Sequence, residues 1–179
     1  MKKIILFILI LTLSTNLLAL PGQWFRDMIK EYRASHGLDT YDEMLYEIED
    51  TIISISKETG IDPLLITSVI IVESEFRNVI GLDGELGMMQ IKPETAAFVA
   101  KVFKIEKPEE GWIRILWDYK LNIKIGTYYI KYLYNKFGNI VDAIRHYNGG
   151  IYKDIYAERI METYKKMLKV ASSYEQQNS

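Results

Sequence analysis

The stretch Leu64-Leu65-Ile66-Thr67-Ser68-Val69-Ile70-Ile71-Val72 constrains this chain more than any other. Only Thr67 and Ser68 are polar in it. Asp62 can cap its start and Pro63 suits a first helical turn, where no backbone N–H is needed. A helix that is apolar nearly all round must sit at the centre of a domain, with other helices packed about it. The run ends on a charge, Glu73. A carboxyl group there has two readings. It can stand at the solvated end of a buried helix, ion-paired or hydrated. Or burial can raise its pKa and leave a carboxylic acid able to donate a proton near neutral pH. Taken alone, the pattern favours the first.

The rest of the chain supplies helices to surround that centre. Thr40 and Glu43 form a capping-box pair that opens a helix to residue 59, stopped by Gly60. Before it, residues 20–39 form a lead-in in which Trp24, Phe25, Met28, Ile29 and Tyr32 share one helical face. That face is expected to pack on the domain; contact with a membrane surface or partner is the alternative. Residues 78–90 contain Gly81, Gly84 and Gly87 and read as a loop or one short hairpin. Helical spacing resumes over 93–103. A turn follows at 107–111, then a helix over 119–137 stopped by Gly138, and a short one to Tyr147 capped by Asn139. Asn148-Gly149-Gly150 breaks the chain, and a last helix runs from Tyr152 to about Val170. Residues 171–179 read as a polar, frayed tail. With 179 residues, the chain is about one domain long. The expected class is mainly α, with the domain proper over 40–170.

Three broad features bound the function. Lys2-Lys3, the apolar run from Ile4 to Leu11 and Ala19 describe a secretory signal peptide over 1–19. Leu17 is larger than ideal before the cut, and an uncleaved anchor is the alternative. The expected location is the periplasm or cell envelope. There is no Cys, so neither disulfides nor thiolate chemistry is available, and two His are too few for a His-rich metal site. The formal charge is −2, and two units more negative once Lys2 and Lys3 are removed. No basic stripe stands out, so nucleic acid is not an expected partner.

Two later motifs could carry chemistry. Gly87-Met88-Met89-Gln90-Ile91 offers close backbone approach and a donor–acceptor amide; a buried connection with Met as filler explains it equally. His146-Tyr147-Asn148-Gly149-Gly150 is first a helix stop, though the Tyr147 hydroxyl could orient a carboxyl group. His146, a lone imidazole near a helix end, reads as structural.

Read together and in order, these blocks resemble the lytic transglycosylase (SLT-type) domain of the goose-lysozyme superfamily. That pattern is an apolar helix ending Glu-Ser-x-Phe, then Gly-Leu-Met-Gln-Ile-x-Pro-x-Thr-Ala, Asn-Ile-x-x-Gly and Ala-Tyr-Asn-x-Gly. This chain has Glu73-Ser74-Glu75-Phe76, Gly87 to Ala96, Asn122-Ile123-Lys124-Ile125-Gly126 and His146 to Gly150. The resemblance spans residues 51–164. It implies a lysozyme-like fold whose buried central helix carries the catalytic Glu. It also implies cleavage of peptidoglycan strands between N-acetylmuramic acid and N-acetylglucosamine, leaving 1,6-anhydromuramyl ends. Glu73 is then the single acid/base, and the substrate's acetamido group stabilises the cation at C1. Tyr147 is expected to hydrogen-bond Glu73, Met89 and Gln90 to line the sugar cleft, Asn148 to contact substrate, and Ser74 to support the helix end. No metal or cofactor is implied, and a monomer is expected. Met88 replaces Leu and His146 replaces Ala. Gly81 stands where many members have a glycan-contacting Ser.

Three alternatives remain open at this level. The first is a lysozyme-type hydrolase: the resemblance to goose-type lysozymes implies water-positioning acidic residues at two places near the Gln block. This chain has Gly81 and Lys92 there, which argues against hydrolysis, although Asp83 or Glu85 could substitute; Asp83-Gly84-Glu85 also reads as a solvated turn. A non-catalytic wall-binding accessory of a secretion system or pilus assembly would keep the fold without turnover. A chitinase would cut unmodified chitin.

Overall fold

The computed structural model describes residues 22–178. The signal-peptide reading therefore falls outside the described residues. Helix α1 spans Gly22–Ser35 and α2 spans Asp42–Thr59. The apolar run forms α3, Pro63–Ser74, with Pro63 in its first turn and the Asp62 side chain accepting from the Leu64 amide at 2.8 Å. Helix α4 covers Pro93–Phe103, α5 covers Tyr119–Phe137, α6 covers Ile140–Asn148 and α7 covers Lys153–Asn178. A single 3-10 turn, Trp112–Leu116, joins α4 to α5.

Helix α3 is the centre, as its composition requires. Every residue from Pro63 to Ile71 is buried. Its two polar side chains are accommodated locally: Thr67 donates to the Pro63 carbonyl at 2.7 Å and Ser68 to the Leu64 carbonyl at 2.6 Å. Such bonds to the preceding turn leave no hydroxyl unsatisfied. Around α3, helix α7 lies along one side, α5 pairs with α2 and α6, and α6 also meets α7. Burying side chains such as Leu64, Ile66 and Ile70 stabilises the fold by about 1.5–3 kcal/mol each.

The lead-in packs on this body. Phe25 and Ile29 are fully buried, and Trp24, Met28 and Tyr32 pack against the same core. Arg26 on α1 reaches Glu49 on α2 at 2.5 Å, which pairs an otherwise isolated buried carboxylate. Farther along α1, the largely buried Arg33 donates to the Phe76 carbonyl at 2.7 Å and to the Thr40 hydroxyl at 2.8 Å.

That last bond corrects the capping box. Helix α2 starts at Asp42, its cap residue is Tyr41, and no side chain caps it. The Thr40 hydroxyl is engaged by Arg33 instead. The polar tail is also corrected: α7 stays helical to Asn178. Ala171 is 1 % exposed, and the Tyr174 ring lies 6.4 Å from Trp24, so packing on α1 sustains the helix beyond its strongly apolar part. The glycine-rich segment 78–90 is a loop held by two isolated bridges, Ile80 with Leu86 and Leu86 with Ile91.

Candidate active site

Helix α3 ends abruptly at the point where chemistry could occur. Glu75 and Phe76 both adopt left-handed backbone, with φ of 52° and 62°. Two successive non-glycine residues in that region cost energy and persist only when the surroundings hold them. Several contacts do so. The Ser74 hydroxyl donates to the Met88 carbonyl at 2.7 Å, the Arg33 guanidinium holds the Phe76 carbonyl, and Arg77 donates to the Ser74 carbonyl at 2.8 Å. Glu75 is turned outward to pair with His36. Ser74 thus ties the end of α3 to the loop that carries Met88.

The loop carrying Gln90 is pinned by Asn122 of α5, which is fully buried. Its Oδ1 accepts from the Met89 amide at 2.7 Å, and its Nδ2 donates to the carbonyls of Leu86 at 2.8 Å and Ile115 at 3.1 Å. Gly87 is required at this junction. Its φ is 74°, and a Cβ there would lie 2.5 Å from both Asn122 Nδ2 and the Ile115 carbonyl oxygen. Gln90, at φ 47°, donates to the carbonyls of Gly87 at 2.7 Å and Val79 at 3.1 Å. Its amide is therefore fixed before any ligand arrives.

Between this loop, the end of α3 and the end of α6 lies a cavity of about 480 Å³, lined among others by Glu73, Gln90, Tyr129, Tyr147 and Asn148. Glu73 is partly buried at its wall. Burial pushes its carboxyl up to about 7; the nearby charge of Glu85 adds to this, while the Tyr156 hydrogen bond and Arg159 oppose it. The carboxyl is half protonated near neutral pH, the condition for one group to serve as acid and then as base.

Two expected roles are corrected. Tyr147 does not reach Glu73: its hydroxyl donates to the Met89 carbonyl at 2.8 Å, while its ring lines the cavity. The hydroxyl on Glu73 belongs to Tyr156 of α7, at 2.5 Å from Oε1. The two rings lie parallel within 2°, 6.5 Å apart, so Tyr147 backs Tyr156. Met89 does not line the cleft either. It is fully buried, with Sδ only 2.5 Å from where a Cβ on Gly126 would sit, and its part is to fill the space above α5 and hold Tyr147. Gln90 and Asn148 do border the cavity. His146 stacks on Phe137 at 3.9 Å with Nδ1 2.8 Å from the Asp142 carbonyl oxygen, a structural placement.

Tyr156 was missed because a tyrosine at helical spacing looks like core. Its buried face on α7 continues through Ile160, Met167 and Ala171. The signal that could have found it is the hydroxyl, since a buried phenol needs a partner. Tyr164, about 12 Å farther along α7, donates to Asp62 at the other end of α3 at 3.0 Å. Two tyrosines thus lace α7 to both ends of α3. Tyr156→Phe removes a bond that favours the charged form of Glu73. The expected result is an alkaline activity limit displaced to higher pH and a kcat lowered about tenfold, with KM little changed; a pH–rate profile reads both.

Residues 50–174 match the family model described as "Transglycosylase SLT domain". The chain is 38 % identical over 84 residues to the membrane-bound lytic murein transglycosylase E of Buchnera aphidicola subsp. Baizongia pistaciae, covering 45 % of this chain and 38 % of that protein. It is 41 % identical over 68 residues to the soluble lytic murein transglycosylase of Salmonella typhimurium, covering 37 % of this chain and 10 % of the relative. Among solved structures, it superposes on an inactive mutant of lytic transglycosylase Slt from Pseudomonas aeruginosa with a TM-score of 0.60 at 20 % identity, covering 85 % of this chain and 29 % of that one. For the 70 kDa soluble lytic transglycosylase of Escherichia coli, the TM-score is 0.54 at 23 % identity, covering 81 % and 23 %. The match spans well under half the length of each of these proteins. The solved structures establish the fold, and the family model covers most of the chain.

Proposed function

The chain belongs to the transglycosylase SLT domain family, and on that premise we propose that it is a peptidoglycan lytic transglycosylase with Glu73 as its one acid/base. The observation that carries this reading is the state of Glu73: a carboxyl group at the wall of a cleft, lifted to about 7 by burial and held by the Tyr156 hydroxyl. Most glycosidases divide acid and nucleophile between two carboxyl groups. Here Glu73 performs two proton transfers in turn.

In the first, protonated Glu73 donates to the glycosidic oxygen as the bond from C1 of N-acetylmuramic acid to that oxygen breaks. The N-acetylglucosamine side leaves as an alcohol. The muramic acid's own acetamido oxygen stabilises the cation at C1. In the second, the Glu73 carboxylate takes the proton of the C6 hydroxyl as that oxygen bonds to C1. The product is a 1,6-anhydro ring, Glu73 is protonated again, and no water is consumed. The Gln90 amide and Asn148 at the cleft edge supply hydrogen-bonding groups for the sugars, and the Tyr147 ring gives them a wall. This chemistry needs no metal or cofactor. Among the described residues, no group of three or more His, Cys, Asp or Glu is placed to hold a metal ion.

The substrate is the glycan strand of peptidoglycan, met in the periplasm or cell envelope after export. Relatives are named both membrane-bound and soluble. No helix among the described residues is long and apolar enough to cross a membrane. Service to a secretion system or pilus assembly is consistent with a small wall-cutting domain. Activity is expected to fall as pH rises through about 7, because Glu73 loses the proton it must donate. Purified sacculi incubated with the protein should release soluble muropeptides, with the rate declining on that alkaline side. A failure of the wild type to release any would leave a wall-binding role instead.

A further inference from the structure

Glu85 borders the same cavity as Glu73. It does not lie free in a solvated turn. Its Oε2 accepts from the Asp83 amide at 3.0 Å, and its Oε1 lies 3.3 Å from Lys92 Nζ. The turn is closed beneath it, since the Gly81 amide donates to the Glu85 carbonyl at 2.7 Å. Asp83, the other acid of this turn, is exposed and contributes its backbone.

Gly81 and Glu85 belong together. A Cβ on residue 81 would lie 2.5 Å from Glu85 Oε2 and 2.5 Å from Gln90 Oε1. The carboxylate occupies the space that a side chain at 81 would use, beside the fixed amide of Gln90. The space beside Gly81 is filled by a charge from four residues on.

That charge is felt at Glu73. The groups facing Glu73 are Tyr156 and Arg159 from α7, Tyr147 from α6 and Glu85 from the loop. Burial holds both phenols neutral. Arg159 and Glu85 are thus the charged ones, and they act in opposite senses. Burial pushes Glu85 up, but the backbone amides of Glu85 and Asp83 and the Lys92 ammonium outweigh it, so Glu85 stays ionised while Glu73 is half protonated. Two carboxyl groups in one cleft with opposed tendencies mark a division of roles.

We infer that Glu85 is a positioning residue for this reaction: its carboxylate, clamped by Lys92 and the Asp83 amide in the space left by Gly81, keeps a fixed negative charge in the cleft that holds Glu73 in its proton-donating form. The inference rests on the reading of Glu73 as the acid. Lys92 sets how strong that charge is.

The test is a titration of the Glu73 carboxyl carbon by NMR in the full chain labelled with 13C-carboxyl glutamate, the resonance being assigned by its loss in Glu73→Gln. Glu85→Gln should lower the Glu73 midpoint by about half a pH unit. Lys92→Met should raise it, because the Glu85 charge is then uncompensated. The alkaline limb of muropeptide release should move the same way in each variant. A loop that is merely disturbed would not give opposite displacements. Midpoints that stay within error of the wild type in both variants, or that move together, would overturn the inference. Its failure is separable from that of the parent reading: the midpoints are measured without turnover, whereas the parent reading fails if Glu73→Gln retains wild-type release.

Discussion

Glu73→Gln is expected to slow glycan cleavage by about three orders of magnitude and, at pH 8, to make the protein more stable. The first effect follows from removing the only group assigned to both proton transfers, in a step where acid–base catalysis contributes about 10²–10⁴-fold. Gln keeps the shape and can still accept from Tyr156, so the loss would not reflect a collapsed cleft. The second effect follows from linkage. The folded-state value of about 7 lies above the ordinary 4.5, so the fold prefers the protonated carboxyl. The stability this confers is fully present below about pH 4.5 and is lost as pH rises through 7. Gln never ionises and avoids that loss. At about 1.4 kcal/mol per pKa unit, the gain approaches about 3 kcal/mol as an upper bound. Melting temperatures of the two proteins at pH 4 and pH 8 check this: they should agree at pH 4 and differ by several degrees at pH 8. Equal melting temperatures at pH 8 would mean that burial does not strain the Glu73 carboxylate.

Asn122→Ala should give the largest loss of stability of any single polar substitution in the site. The side chain is fully buried and serves three backbone groups, the Met89 amide and the carbonyls of Leu86 and Ile115. Truncation leaves the Met89 amide and the Ile115 carbonyl without that partner in a place water does not readily reach, while the Leu86 carbonyl keeps the Ile91 amide. At about 1–3 kcal/mol for each buried polar group left unsatisfied, a loss of about 3 kcal/mol or more is expected in chemical denaturation. Asn122→Asp keeps the acceptor for Met89 but loses both donors and buries a charge, so it should be no better. Activity should fall with stability, because the same three bonds place the loop that carries Gln90. A stable Asn122→Ala variant with a normal melting curve would show that the bridges at Leu86 and the Ser74 bond to Met88 hold the loop unaided.

The centre of the fold was legible because α3 has only one solution. A segment with nine buried residues in succession cannot lie on a surface, and its start is marked by Asp62 and Pro63. The bounds of α4 and α5 followed from Pro93 and from Gly138. The start of α2 was misread because a capping box is a local rule and Arg33, seven residues upstream of Thr40, outcompetes it for the hydroxyl. The last helix was cut short because its polar end packs on α1, a contact between opposite ends of the sequence. In the site, Glu73, Gln90 and Asn148, all of which border the cavity, were singled out by motif order. Tyr156 was not, because its partner is 83 residues away and its helix face reads as core. Met89 and Tyr147 were assigned the wrong contacts, since a motif gives residue identity and not the direction of a hydroxyl.

In the proposed mechanism Glu73 alone moves both protons, and the C6 hydroxyl, not water, closes the reaction. The masses of the muropeptides released from purified sacculi by the wild-type protein test it most directly. Ends lighter than hydrolytic ends by one water, and absent with Glu73→Gln, are the predicted result. Reducing ends alone would contradict it and would place a water-activating carboxylate in this cleft.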